Sequence, residues 1–117
     1  MKNTIIFTFR VKPEIQLEVY VTKNGKAPFL DWLESLDNKI RYRVKERLYR
    51  IALGNLGDHK FISKGVSEIR LTFGSGYRIY YSNMENKTIM LLCGGDKSTQ
   101  KRDVKKTNAY LQDYLLR

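Results

Sequence analysis

Arg70 and Arg78 flank the triplet Gly74-Ser75-Gly76, and Lys97 follows Gly94-Gly95-Asp96 further along the chain. Cations set beside glycine turns suit the handling of an anion. Ile69, Leu71 and Phe73 alternate with Glu68, Arg70 and Thr72, and beyond the triplet Tyr77, Ile79 and Tyr81 alternate with Arg78, Tyr80 and Ser82. Period-two alternation around a glycine-rich turn predicts a β-hairpin. A turn that pairs Phe73 with Tyr77 sets Thr72 opposite Arg78 and Arg70 opposite Tyr80. The two arginines then share the polar face as diagonal neighbours about 7–8 Å apart. Guanidiniums that close repel each other, and a phosphate held between them relieves the repulsion.

The rest of the chain must position these groups. Its 117 residues predict one domain spanning 1–117 with one modest core, and 42% apolar content with eight tyrosines argues against disorder. No apolar run approaches the ~20 residues of a membrane span. The opening residues do not read as a signal peptide, because Arg10, Lys12 and Pro13 soon end the apolar stretch. The single cysteine, Cys93, cannot form an internal disulfide, which fits a reducing cytoplasm. A net charge of +10 points to a polyanion or an acidic protein partner, with a merely solvated basic surface as the plainer reading. The charges cluster. Lys39, Arg41, Arg43, Lys45, Arg47 and Arg50 face only Glu46 over residues 39–50, and Lys97, Lys101, Arg102, Lys105 and Lys106 form a second group.

Residues 1–14 read as an arm or an extra strand, and residues 16–22 as a strand followed by a turn at 23–26. Pro28 suits the first position of a helix with Phe29, Leu33 and Leu36 on its buried side. Asp37 is a candidate N-cap for a second helix with the stripe Ile40, Val44, Leu48 and Ile51, which Gly54 stops. Residues 55–66 read as a polar loop. Three strands follow, the last of them (88–93) apolar enough to be central and covered on both sides. A helix from about Thr99 carries Val104, Leu111 and Leu115 on one side. The expected fold is α+β in the order β-α-α-β-β-β-α: an antiparallel-rich sheet, an N-terminal helical hairpin and a C-terminal helix, with the helices on one face and the arginines on the open one.

The block GVSEIRLTFGSGYRIYY, followed by a strand ending LLCGGDKSTQKRD, resembles the RelE/ParE toxin superfamily. It is most similar to the HigB-like branch of addiction-module killer proteins, and GKAPFLDWLESL and LGNLGDHK fit the same branch. The resemblance runs from about Leu17 to Leu115. It implies the fold above, a cytoplasmic toxin, a cognate helix-turn-helix antitoxin, and cleavage of mRNA on the ribosome.

RNA cleavage without a metal asks for little machinery. The 2′-hydroxyl must lose a proton and attack the adjacent phosphorus in line, the phosphoryl oxygens need charge stabilisation, and the departing 5′-oxygen needs a proton. Positioning and charge supply much of this. Arg78 matches the arginine of the family's GYR motif; its plainer role is a surface ion pair with Glu68 or Glu85. Arg70 matches a basic residue on the preceding strand; the plainer role is a cross-strand charge pair. Lys97 matches a basic residue after the central strand, where amides at a helix start favour anions; the competing view is a simple glycine connection. Asp96 caps that turn or orients Lys97.

The general base is open among His59, whose intrinsic pKa suits the task, and Tyr110 or Tyr114 on the last helix. Where RelE carries a tyrosine, this chain has Asp103. Lys60, Lys64, Lys101 and Arg102 are candidates for RNA phosphates, and Tyr80 for stacking on a base. One Cys, one His and scattered carboxylates make no zinc shell, and neither a phosphate-binding loop nor a nucleophile elbow is present, so no cofactor is expected. Two other functions compete with the ribonuclease: a ParE-like, non-enzymatic inhibitor of DNA gyrase, and a basic RNA- or ribosome-binding protein without activity.

Overall fold

The computed structural model describes residues 3–117. Among these residues six strands form one sheet: β1 (Thr4–Ile6), β2 (Gln16–Tyr20), β3 (His59–Ser63), β4 (Val66–Arg70), β5 (Arg78–Met84) and β6 (Thr88–Gly95). They lie in the order β1-β2-β6-β5-β4-β3. Among the described residues only β2 and β6 pair in parallel; the other neighbours are antiparallel. The helices are α1 (Pro28–Ser35), α2 (Asn38–Ala52) and α3 (Gln100–Leu115), with a 3₁₀ turn, Lys97–Thr99, leading into the last.

The helical hairpin forms for the reasons its sequence suggests. Pro28 opens α1, where a missing N–H costs nothing. Asp37 caps α2 by accepting the Ile40 amide at 3.1 Å, satisfying one of the orphan donors of the first turn. Val44, Leu48, Ile51 and Ala52 form the buried stripe of α2. At its end Gly54 takes φ +98° and gives its N–H to the Ile51 carbonyl at 2.9 Å.

The sheet is covered on both faces, not one. Alternation along the strands sends Leu17, Val19, Ile69, Ile79, Tyr81, Ile89 and Leu91 to a main core with α1 and α2. Tyr20, Val66, Met90 and Leu92 go to a second core with Leu111 of α3. Two adjacent glycines on β6 show the division. A Cβ on Gly94 would overlap the Trp32 ring of α1, and one on Gly95 would overlap the Asp103 carboxylate of α3. Gly94-Gly95 therefore lies inside the strand and admits a helix closely on each face, rather than forming the sharp turn expected from the sequence.

Other expectations also change. Of the two readings of residues 1–14, Thr4–Ile6 is the extra strand, antiparallel to β2; Met1 and Lys2 lie outside the described residues. The polar loop contains β3, an edge strand whose exposed side chains, such as Phe61 at 67% exposure, hide the usual alternation. The buried stripe of α3 is Asp103, Thr107 and Leu111, whereas Leu115 is exposed. The β4–β5 register is two residues away from the expected one, with Arg70 opposite Arg78 and Glu68 opposite Tyr80. A shift of two preserves which face each side chain occupies. Among the described residues no helix is long and apolar enough to cross a membrane.

Candidate functional site

The C-terminal ends of β4 and β6, the start of β5 and the entry to α3 meet at one end of the sheet. The Leu71 N–H bonds the Tyr77 carbonyl at 2.9 Å and closes the hairpin loop. Alternation from that bond makes Arg70–Arg78 a non-hydrogen-bonded pair, the kind in which opposed Cα atoms approach to about 4.5 Å. Lys97 reaches the same place. Its N–H lies 3.4 Å from the Ser75 carbonyl, and its Cβ would stand 3.3 Å from a Cβ on Gly76. Arg78 Nη1 donates to the Gly76 carbonyl at 2.8 Å. The hairpin loop thus sets the backbone and Cβ of Lys97 beside Arg78, whose partner across the strands is Arg70.

Their surroundings differ from an open polar face. Arg78 was expected toward solvent, yet its side chain is only 12% exposed, against 40% for Arg70. Between them Glu68, 1% exposed, places Oε2 3.6 Å from Arg78 Nε and 3.8 Å from Arg70 Nε. Asp58 Oδ1 accepts from Arg70 Nη2 at 3.1 Å. The first turn of α3 roofs the cluster: Gln100 Nε2 stands 3.5 Å from Glu68 Oε1, and the buried Asp103 accepts from the Thr99 hydroxyl.

Tyr80 is not available for stacking. It is fully buried beneath α3, and its hydroxyl makes no hydrogen bond. Burial raises its pKa, the carboxylates of Glu68 and Asp103 add to the rise, and Arg78 opposes it. Nor do the α3 tyrosines reach the site. Tyr110 stacks on Tyr20 with ring centroids 5.2 Å apart, and Tyr110 and Tyr114 pack on the second core. Ten residues of helix separate Tyr110 from Gln100, about 15 Å. His59 does lie at the arginine end, exposed, beside Asp58, with Nδ1 2.8 Å from the Gly57 carbonyl.

The flanking cations divide. Lys101 and Arg102 are exposed on the first turn of α3, next to the exposed Lys97. Lys60 is exposed on the edge strand, paired in register with Glu68. Lys64 sits in the β3–β4 turn with φ +49°, at the end of that hairpin opposite Arg70, and does not join the site. The amides expected to be free at the helix start are engaged: Asp96 accepts from the Ser98 N–H at 2.8 Å, and its N–H reaches Thr99 Oγ1 at 3.2 Å. The Ser98 hydroxyl, then the backbone amides of Ser98 and Thr99, hold the Asp96 pKa below its ordinary value. Asp96 is a cap, and any anion here answers to side chains.

A second feature escapes a reading strand by strand. A cleft of about 310 Å³ lies between α2 and the hairpin loop, lined by Arg43, Arg47, Arg50 and Arg70 with Asp58 and Phe73 among its other walls. Arg43 lays its guanidinium over the Phe73 ring at 4.0 Å. Arg47 donates to the Leu56 carbonyl at 3.0 Å, and burial followed by the neighbouring Arg50 lowers its pKa. Arg70 belongs to both places, its inner edge toward Glu68 and its side chain on the cleft wall. The basic spacing of α2 was visible in the sequence; the cleft depends on the loop folding back over it.

A family model described as "Phage derived protein Gp49-like (DUF891)" matches residues 31–114, from within α1 to near the end of α3. An uncharacterised protein of Haemophilus influenzae (strain ATCC 51907 / DSM 11121 / KW20 / Rd) is 40% identical over 86 residues, covering 73% of this chain and 87% of the relative.

Proposed function

Since the chain belongs to the phage-derived Gp49-like family, we propose that it is a toxin of a toxin–antitoxin pair, RelE-like and nearest the HigB branch. In this reading it is a cytoplasmic endoribonuclease that cleaves mRNA on the ribosome without a metal. The observation that supports it best is the directly opposed Arg70–Arg78 pair opening beside the Arg43–Arg47–Arg50 cleft. Paired guanidiniums suit a phosphate whose charge grows during reaction, and the cleft offers cations for neighbouring phosphates of the same strand.

In this reading each group has a role. Arg70 and Arg78 stabilise the phosphoryl oxygens as the 2′-oxygen attacks. Lys97, beside Gly76, gives a proton to the 5′-oxygen as its bond to phosphorus breaks, leaving a 2′,3′-cyclic phosphate on the upstream product. His59, the candidate base at this end of the sheet, takes the 2′-hydroxyl proton. A helix-turn-helix antitoxin with acidic residues meets the basic α2 surface, since opposed potentials speed encounter.

Controlled expression in a bacterium tests the reading. Labelled methionine incorporation falls before thymidine incorporation, and primer extension finds new 5′ ends within translated mRNA. Intact mRNA together with inhibited supercoiling by gyrase would replace it with the ParE-like reading.

A further inference from the structure

The buried carboxylate of Glu68 has no contact with solvent, and yet it lies in ion-pair range of both site arginines. We infer that Glu68 is a positioning residue that holds Arg70 and Arg78 by their inner Nε edges and leaves their outer guanidinium nitrogens to the substrate phosphate. Opposed across β4–β5, the two guanidiniums would otherwise separate by repulsion. One carboxylate between them offsets one of the two positive charges and gives both a common anchor, and Asp58 adds a second, outer carboxylate on Arg70.

The directions of the contacts support this role. The contact of Glu68 with each arginine is at Nε, while one outer nitrogen of each is engaged laterally, Arg70 Nη2 by Asp58 and Arg78 Nη1 by the Gly76 carbonyl. Each guanidinium therefore keeps donors in hand. Glu68 Oε2, Arg70 Nε and Arg78 Nε make no hydrogen bond, because 3.6–3.8 Å exceeds hydrogen-bond range. The anchor is electrostatic and slack, with room to tighten when an anion draws the arginines together, as contacts in unliganded catalytic sites do. Glu68 itself is held by the α3 turn, where Gln100 approaches its other oxygen. Full burial keeps it from touching substrate.

The kinetic part of the test rests on the ribonuclease reading; the spectroscopic part does not. In Glu68→Gln, kcat for mRNA cleavage by programmed ribosomes falls on the order of 10²-fold from misplaced arginines, while KM is unchanged or lower because the site gains positive charge. The arginine Nε–Hε resonances of Arg70 and Arg78 in a ¹⁵N spectrum, distinct in the parent, move toward those of exposed arginines, and their response to added inorganic phosphate weakens. An unchanged rate with unchanged resonances overturns the role. Should Glu68→Gln not fold, Glu68→Asp decides: the charge is kept, so both resonances persist and kcat stays within about tenfold, whereas a folded Glu68→Asp that has lost both overturns the inference. A parent that cleaves no RNA defeats the ribonuclease reading alone, since the resonances still report whether Glu68 anchors the pair.

Discussion

The Asp103 carboxylate occupies the space that any side chain on Gly95 would need. A Cβ there would overlap Asp103 Oδ2 and stand 2.8 Å from Thr99 Oγ1. Gly95→Ala must push the start of α3 away from β6 or break the Thr99–Asp103 bond, so the expected loss is about 1–3 kcal/mol. Chemical denaturation checks it: a midpoint equal to the parent's would mean that α3 sits more loosely on the sheet than described.

Replacing Arg78 by Ala removes the better-buried partner of Glu68. A carboxylate left without its cation in a desolvated site costs on the order of 3–5 kcal/mol, less whatever Arg70 restores. The double variant Arg78→Ala/Glu68→Gln should recover a large part, because the stranded charge is gone. Additive losses in that cycle would show that the pair contributes nothing. Tests of Arg78 in cleavage therefore need a stability control beside them.

Tyr80→Phe deletes a buried hydroxyl that has no partner. Such a group costs its desolvation and returns nothing, so thermal stability should hold or rise slightly. A fall of several degrees would mean that the hydroxyl is bonded in solution.

Arg43→Glu and Arg47→Glu reverse charges in the α2 cleft. Affinity for single-stranded RNA should drop more than about tenfold at low salt, with a flatter dependence on salt because fewer counterions are released. Fluorescence anisotropy across a salt series reads both quantities, and parental slopes would remove the cleft from the binding surface.

Alkaline pH should weaken the fold. Burial, and next the hydrogen bond to Asp113, push Tyr20 up to about 12 from the ordinary 10.0, and Tyr81, Tyr110 and Tyr114 shift upward chiefly through burial. The folded state keeps these protons where the unfolded chain releases them. Their contribution is therefore complete below pH 10 and is lost as pH rises toward 12. Denaturation midpoints from pH 8 to 12 follow the loss, and Tyr20→Phe should make the fall shallower.

Regular patterns in the sequence carried the fold, and polar exceptions concealed the site. The α2 stripe and the hairpin alternation are apolar signals at fixed periods, so their faces were legible. The hairpin register was not, since Gly74-Ser75-Gly76 permits more than one closure and Leu71–Tyr77 won. The stripe of α3 is obscured in the sequence because Asp103 and Thr107, which carry no apolar signal, occupy core positions. The same blindness hid Glu68 and Tyr80, polar side chains on a strand that look solvent-facing until a helix covers them. Edge strand β3 escaped because one exposed side removes the alternation on which strand recognition depends.

The parallel pairing of β2 with β6 sets an order of assembly. Gln16 aligns with Thr88 and Val19 with Leu91, so the centre of the sheet joins segments far apart in the sequence. Closing so long a loop is slow relative to making the local β4–β5 hairpin. The hairpin can pair Arg70 with Arg78 early, but Glu68 stays wet until β6 is seated and Gln100–Leu115 folds down over it. A growing chain therefore carries its arginines without their buried anchor, and the finished site appears only once α3 has been made and has folded down.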